Sequence, residues 1–254
     1  MHLNTTITTY DESTINPNGE EYILVHPTGT KTITENGTGI DVALYEKADV
    51  NVLGSAKLSE LIDGSITEIT IPVDVTELCD EAFSSRKNLE SVIMHDGVTK
   101  IGNGAFKSCS ALESIDIPDS VTEIGAAAFS SSGLKSLEYG VNAGSGFCER
   151  CLSLESVVVG EGVTTIDSGS FNCCAALTTI DIASTVQTLG GGALSCENLE
   201  SMTVRATTPP SGANMAFGSV PATCAIYVPA SAVDTYKAAS GWSARASYIQ
   251  AIQE

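Results

Sequence analysis

LESVIMHDGVTKIGNGAFKSCSA (residues 89–111) and LESVVVGEGVTTIDSGSFNCCAA (residues 154–176) align without a gap. Both run L-x-x-V-x-[MV]-x-x-G-V-T-x-I-x-x-x-[AS]-F-x-x-C-x-A. A fixed period of this kind sets the architecture before any other feature is weighed. Working outward, LESIDIPDSVTEIGAAAFSSSG (112–133) and LTTIDIASTVQTLGGGALSCEN (177–198) fit with one residue missing, and ITEITIPVDVTELCDEAFSSRKN (66–88) is a full unit in front. The unit from Leu134 to Ser153 is shorter in its middle by about three residues, a local distortion expected in the stack. Counting back from Leu154 puts Phe147 in its Ala slot, Cys148 in its Phe slot and Cys151 in its Cys slot.

Each slot has a physical reading. L-x-x-V-x-[VI] offers apolar residues at alternate positions, the pattern of a short strand with one face inward. A turn follows, and V-T-x-I supplies two more inward residues on a second extended piece. A-F-x-x-C is too short for an independent helix and is read as a helical or 3₁₀ turn carrying Phe inward. One unit cannot close a core; a stack can, because each unit covers the apolar edge of the next.

The string L-x-x-I-x-I-P-x-S-V-T-x-I-G-x-x-A-F resembles the BspA-like leucine-rich repeat of bacterial surface proteins, and Leu112–Phe129 matches it almost position for position. The resemblance covers Ile66 to about Val204. It implies an α/β repeat solenoid, right-handed, of short strands and short helical or 3₁₀ turns. For function it implies surface exposure and adhesion, with ligands that differ from member to member.

Composition narrows the classes. With 43% hydrophobic residues the chain can bury a core, and with 6% aromatic that core is mostly aliphatic. Twelve Lys and Arg against 31 Asp and Glu give a formal charge of −19, a field that repels nucleic acid and anionic lipid. The sequence has no apolar run long enough to span a bilayer, and MHLNTTITTYDESTINPNGEE lacks the basic and apolar regions of a secretory signal. The expected location is extracellular, on a cell or on a virion.

Both ends of a solenoid need covering. The period stops after Val204; CAIYVP then reads as a strand and SAVDTYKAASGW as a short helix with Ser231 as N-cap, ended by Gly241 and Trp242. ARASYIQAI is expected to cover the last rung. This tail resembles the C-terminal cap of BspA-like proteins from gut bacteria and their phages. In front, the chain reads as a small β module with a turn at Asn36-Gly37, then a helical link, KLSELIDG. The string from Thr32 to Val52 resembles a motif of phage tail proteins. The division is therefore 1–62, a β-rich module and linker; 63–204, a solenoid of about six repeats; and 205–254, an α/β cap.

Candidate chemistry is sparse. Cys109, Cys151 and Cys174 share one slot, with Cys196 close by and Ser132 substituting once, and are read as small buried thiols under the turn. Cys148-x-x-Cys151 lies inside a repeat without a βαβ context, so a redox role is set aside. Cys173 and Cys224 are expected to be partly exposed. His2, His26 and His95 are not placed to complete a zinc site. The sequence has no G-x-S-x-G elbow and no phosphate loop, and Asp116 and Asp119 read as solvated carboxylates, so no catalytic residue, metal or cofactor is assigned.

Binding is assigned to the outward strand positions. These form two columns: Glu68, Ser91, Ser114, Ser136, Ser156, Thr179 and Ser201, then Thr70, Ile93, Asp116, Glu138, Val158, Asp181 and Thr203. The face nominated for a ligand comprises Ser91, Ile93, Ser114, Asp116, Ser136, Glu138, Ser156, Val158, Thr179, Asp181, Ser201 and Thr203. The function expected is non-enzymatic adhesion or recognition of a protein or glycan on a cell surface or matrix. The alternative is a tail-associated virion component. The sequence leaves the oligomeric state open.

Overall fold

A computed structural model describes residues 67–71 and 75–253 in full and, between 14 and 53, the backbones of the strands alone. KLSELIDG, Asn36-Gly37, His2 and His26 lie outside the described residues.

Each repeat contributes up to two short strands, and equivalent strands pair in parallel from rung to rung. The first column is a two-stranded pair, Glu68–Thr70 with Ser91–Ile93, followed after an interruption by six strands. These are Ser136–Tyr139, Ser156–Val159, Thr179–Ile182, Ser201–Val204, Ala225–Val228 and Ile249–Ala251. The second column joins Glu77–Leu78, Lys100–Ile101 and Glu123–Ile124, and farther on Thr165–Ile166 and Thr188–Leu189. It is extended at the front by Val50–Leu53, parallel to Glu77–Leu78, with Tyr45–Lys47 antiparallel at its edge. Thr30–Glu35 and Thr38–Ala43 pair antiparallel with two residues between them, as the hairpin reading of that stretch requires.

The repeat residues follow from this stacking. Alternate strand residues are buried, as in the exposed-buried-exposed-buried run of Ser136–Tyr139. The Thr of V-T-x-I earns its slot by donating its hydroxyl to the rung before it: Thr99 Oγ1 to the Thr76 carbonyl at 3.1 Å, Thr122 Oγ1 to the Thr99 carbonyl at 3.2 Å. The Gly of I-G is required by close approach, since a Cβ on Gly125 would stand 2.4 Å from the backbone nitrogen of Asn103. The A-F-x-x-C turns close by i to i−3 bonds, such as Ser84 N–H to the Glu81 carbonyl at 3.0 Å. They also bond forward to the next rung, as Phe83 N–H to the Ala105 carbonyl at 2.7 Å.

One buried core runs the length of the stack. Phe83, Phe106 and Phe129 stack with centroids 5.3 and 5.5 Å apart and ring planes 12° and 2° from parallel. At the shortened unit Cys148 takes the next Phe position, and Tyr139, Phe147 and Phe171 fill the volume in tilted contacts of 4.8 to 6.3 Å. The phenol of Tyr139 is buried and its oxygen finds no hydrogen-bond partner. Burial raises its pKa.

The tail corrects one expectation. Ser231 is not the N-cap: a 3₁₀ turn, Ala230–Ala232, leads straight into the helix Val233–Ala238, capped by Ala232 with no side-chain bond. The 3₁₀ turn already occupies the residues that a capping serine would need in extended form. Ile249–Ala251 does cover the last rung, pairing with Ala225–Val228.

Candidate binding face

The two columns inferred from the repeat are real columns in register. Ser136, Ser156, Thr179 and Ser201 are Cα partners in succession, as are Glu138, Val158, Asp181 and Thr203. Glu68 faces Ser91 and Thr70 faces Ile93. Ile93 and Val158 are 49% and 42% exposed, unusual for β-branched residues, and lie in the second of these columns. Asp181 is held in a two-pronged pair with Arg205, whose Nε donates at 2.8 Å. That pair fixes the Asp181 carboxylate on the face and offsets its charge.

Two departures matter. Ser114 and Asp116 are exposed but lie on a segment that forms no strand, so they are not laddered to Ser91 and Ile93 or to Ser136 and Glu138. The columns also continue beyond the repeat motif, through Ala225 and Tyr227 and on to Gln250. CAIYVP signalled that strand, but without the flanking repeat consensus nothing tied its register to the ladder.

The thiols are structural. Cys109 donates to the Phe83 carbonyl at 3.1 Å, Cys151 to Phe129 at 3.0 Å, Cys174 to Cys148 at 3.2 Å and Cys196 to Phe171 at 3.0 Å. The slot therefore wants a small buried donor that satisfies the carbonyl of the previous Phe position, and this is why Cys recurs there. Cys148 is the outlier, its Sγ 2.8 Å from that of Cys151. Burial and the neighbouring Cys151 push its pKa up. Burial raises Cys109 and Cys196 to about 12. Cys173 is exposed as expected, but Cys224, just before the strand Ala225–Val228, is 1% exposed, and burial raises it to about 11. Thiolate is the nucleophile, so native alkylation at pH 8 should modify Cys173 first, with Cys109, Cys196 and Cys224 silent until denaturant is added. Rapid labelling of those three in the native protein would refute their burial.

Among the described residues no group of three or more His, Cys, Asp and Glu is placed to hold a metal ion, and no helix is long and apolar enough to cross a membrane. A surface cavity of about 620 Å³ opens on the interrupted first column beside Ser114, Asp116, Ser136 and Glu138.

Six copies of the BspA type leucine rich repeat region match residues 62–144 and 144–232. No curated relative matches the chain. A leucine-rich repeat protein from Bacteroides ovatus has a similar solved structure, with a TM-score of 0.51 and 21% identity over 87% of this chain and 71% of its own. The pneumococcal vaccine antigen PcpA also scores 0.51, at 19% identity over 87% of this chain. The match takes in 49% of PcpA, so this chain spans about half of that antigen's length. These structural likenesses concern the fold.

Proposed function

The chain belongs to the BspA type leucine rich repeat family, and from that premise we propose that it is a non-enzymatic recognition module exposed on a cell or particle surface. Repeat solenoids of this class serve as binding surfaces for proteins and other ligands. The observation that carries the reading here is the outward face of the strands from Ser136 to Ala251, where two side-chain columns run in register, one across five parallel strands and the other across six. Such a face is rigid before a ligand arrives, which lowers the ordering cost of binding. It presents hydroxyls (Ser156, Thr179, Ser201) beside an exposed Val158 and a fixed Asp181, a mixture suited to a protein or glycan ligand of a cell surface or matrix. In this reading residues 1–62 are a β-rich module whose strand Val50–Leu53 continues the second column, and 205–254 a terminal cap.

The test is binding of the labelled chain to intact gut bacteria and, in parallel, to mammalian matrix proteins and mucin. Thr179→Lys with Thr203→Lys changes the face without touching the core. Its binding to whichever panel retains the parent should fall at least about tenfold. Undiminished binding would overturn the assignment to this face. Retention by bacterial cells alone would favour a bacterium-directed role, that of a virion tail component included; retention by host matrix, an adhesin.

A further inference from the structure

The first strand column is interrupted once, and the interruption has a cause in the sequence. Ile117 and Ile124 are separated by the turn 118–123, and Val159 and Ile166 by the turn 160–165. In the unit between, Tyr139 and Ala143 are separated by Gly140, Val141 and Asn142 alone. The missing half of the turn leaves a notch between two full turns, about 620 Å³ in volume.

The second column also breaks as a sheet here, but one bridge and one side chain span the deletion. Ala143 still bridges Ile124, and the Asn142 side chain stands in for backbone, its Oδ1 accepting from Thr164 N–H at 2.9 Å and Thr165 N–H at 3.1 Å. The first column is not mended. Ser136–Tyr139 pairs with Ser156–Val159 on one side and has no strand on the other. Ser114–Ile117 makes no backbone-to-backbone hydrogen bond to either neighbouring rung among the described residues. Where the notch begins, Lys135 pins the two rungs to Glu113, through its N–H to the Glu113 carbonyl at 2.9 Å and through its side chain to the Glu113 carboxylate.

The walls carry one sign of charge. Asp116, Asp119, Glu138 and Glu161 line the notch, and among the described residues no Lys, Arg or His does. Lys135, at the start of the notch, is paired with Glu113 at 2.6 Å, and Arg205, paired with Asp181, adds a longer-range attraction to Glu161. Ser184 holds Glu161 through its hydroxyl at 2.9 Å, which lowers that carboxyl's pKa.

We propose that this notch is the docking site for an extended basic segment of a partner protein, which adds as a strand to the open edges of Ser114–Ile117 and Ser136–Tyr139. Its alternate Lys or Arg side chains would lie among Asp116, Asp119, Glu138 and Glu161. The inference rests on the recognition reading above and names the chemistry of one partner. Backbone pairing at an unpaired edge supplies affinity, while side chains at every second position supply selectivity. Pro118 and Lys135 at the ends of the two short segments, with the carboxylates those segments carry, guard these edges against self-association. The four carboxylates select a cationic guest and disfavour a second copy of this −19 chain.

The probe is the capped peptide acetyl-Lys-Val-Arg-Val-Lys-Val amide, titrated calorimetrically into the full chain. One-to-one binding is expected. Asp116→Lys with Glu138→Lys should weaken it at least about tenfold, while Glu197→Lys with Glu200→Lys, the same charge change elsewhere, should leave it within about twofold. The same peptide N-methylated at alternate backbone nitrogens keeps its charge and loses its donors, and should also bind at least about tenfold more weakly. Three results would overturn the proposal: no binding at millimolar peptide, equal weakening by both double variants, or undiminished binding of the methylated peptide. If the notch fails while Thr179→Lys with Thr203→Lys still abolishes cell or matrix binding, only the docking site falls and the recognition reading stands.

Discussion

Phe106→Ala is expected to lower the unfolding free energy by about 3–5 kcal/mol, as truncation of a buried Phe does elsewhere. Phe106 is completely buried and sits between Phe83 and Phe129 in the parallel stack. Removing the ring takes away apolar surface burial and both aromatic contacts, and the flanking turns cannot collapse into the space. Those turns are tied rung to rung through Phe83 N–H to the Ala105 carbonyl and Phe106 N–H to the Ala128 carbonyl, both at 2.7 Å. Rungs in a solenoid are coupled only to their neighbours, so the loss should appear as early fraying of the N-terminal rungs as well as a lower urea midpoint. Ile93→Ala, on the exposed face, serves as the control and should change stability by no more than about 0.5 kcal/mol. A Phe106→Ala variant that unfolds within about 1 kcal/mol of the parent would show that the stack does not bear the core.

The stack was readable because its slots are set by simple local requirements. A period-2 strand, a Thr that donates backwards, a Gly without room for a Cβ and a Phe over a small donor recur in most rungs, with Cys79 and Asp167 in the Gly slot and Arg86 in the small-donor slot as departures, so the string alone announces them. The position of the shortened unit was equally readable, down to Cys148 in the Phe slot, which the Cys148 N–H to Ser170 carbonyl bond places there. Its consequence was not. Whether a deletion bends a stack, closes it or leaves a notch depends on which backbone groups find new partners. Here one bridge and one asparagine side chain span the gap in one column, and nothing repaired the other. That outcome is decided by geometry across three rungs, and residue spacing within one does not encode it. The same limit applies to Cys224, which lies near Cys196 and Arg245, whereas Ser231 fails as a cap for a local reason, the 3₁₀ turn that takes it up before the helix begins. Ser114 and Asp116 therefore belong with the notch wall and not with the ladder in which the repeat pattern placed them.

Trp242→Ala is expected to cost about 3–5 kcal/mol as well, and to change the behaviour of the chain in solution. Trp242 is fully buried, donates its indole N–H to the Pro210 carbonyl at 3.0 Å, and meets Phe217 and Tyr236 edge-on at 5.0 and 4.9 Å. Tyr236 in turn donates its hydroxyl to the Ala206 carbonyl at 2.9 Å, and Arg245 lies over Phe217 while donating to the carbonyls of Val220 and Pro221. The indole is thus the keystone joining the helix Val233–Ala238 to the chain leaving the last repeat. Without it the terminal strand Ile249–Ala251 loses its support and uncovers the edge of Ala225–Val228. An uncovered edge pairs with whatever extended chain it meets. Amide exchange should accelerate first in residues 213–251 while 156–182 keep their protection, and size-exclusion chromatography should show concentration-dependent association that the parent chain lacks. Uniform loss of protection along the whole solenoid would mean that the tail folds with the repeats as one unit and is no separate cover. Unchanged elution would mean that the edge stays shielded without the indole.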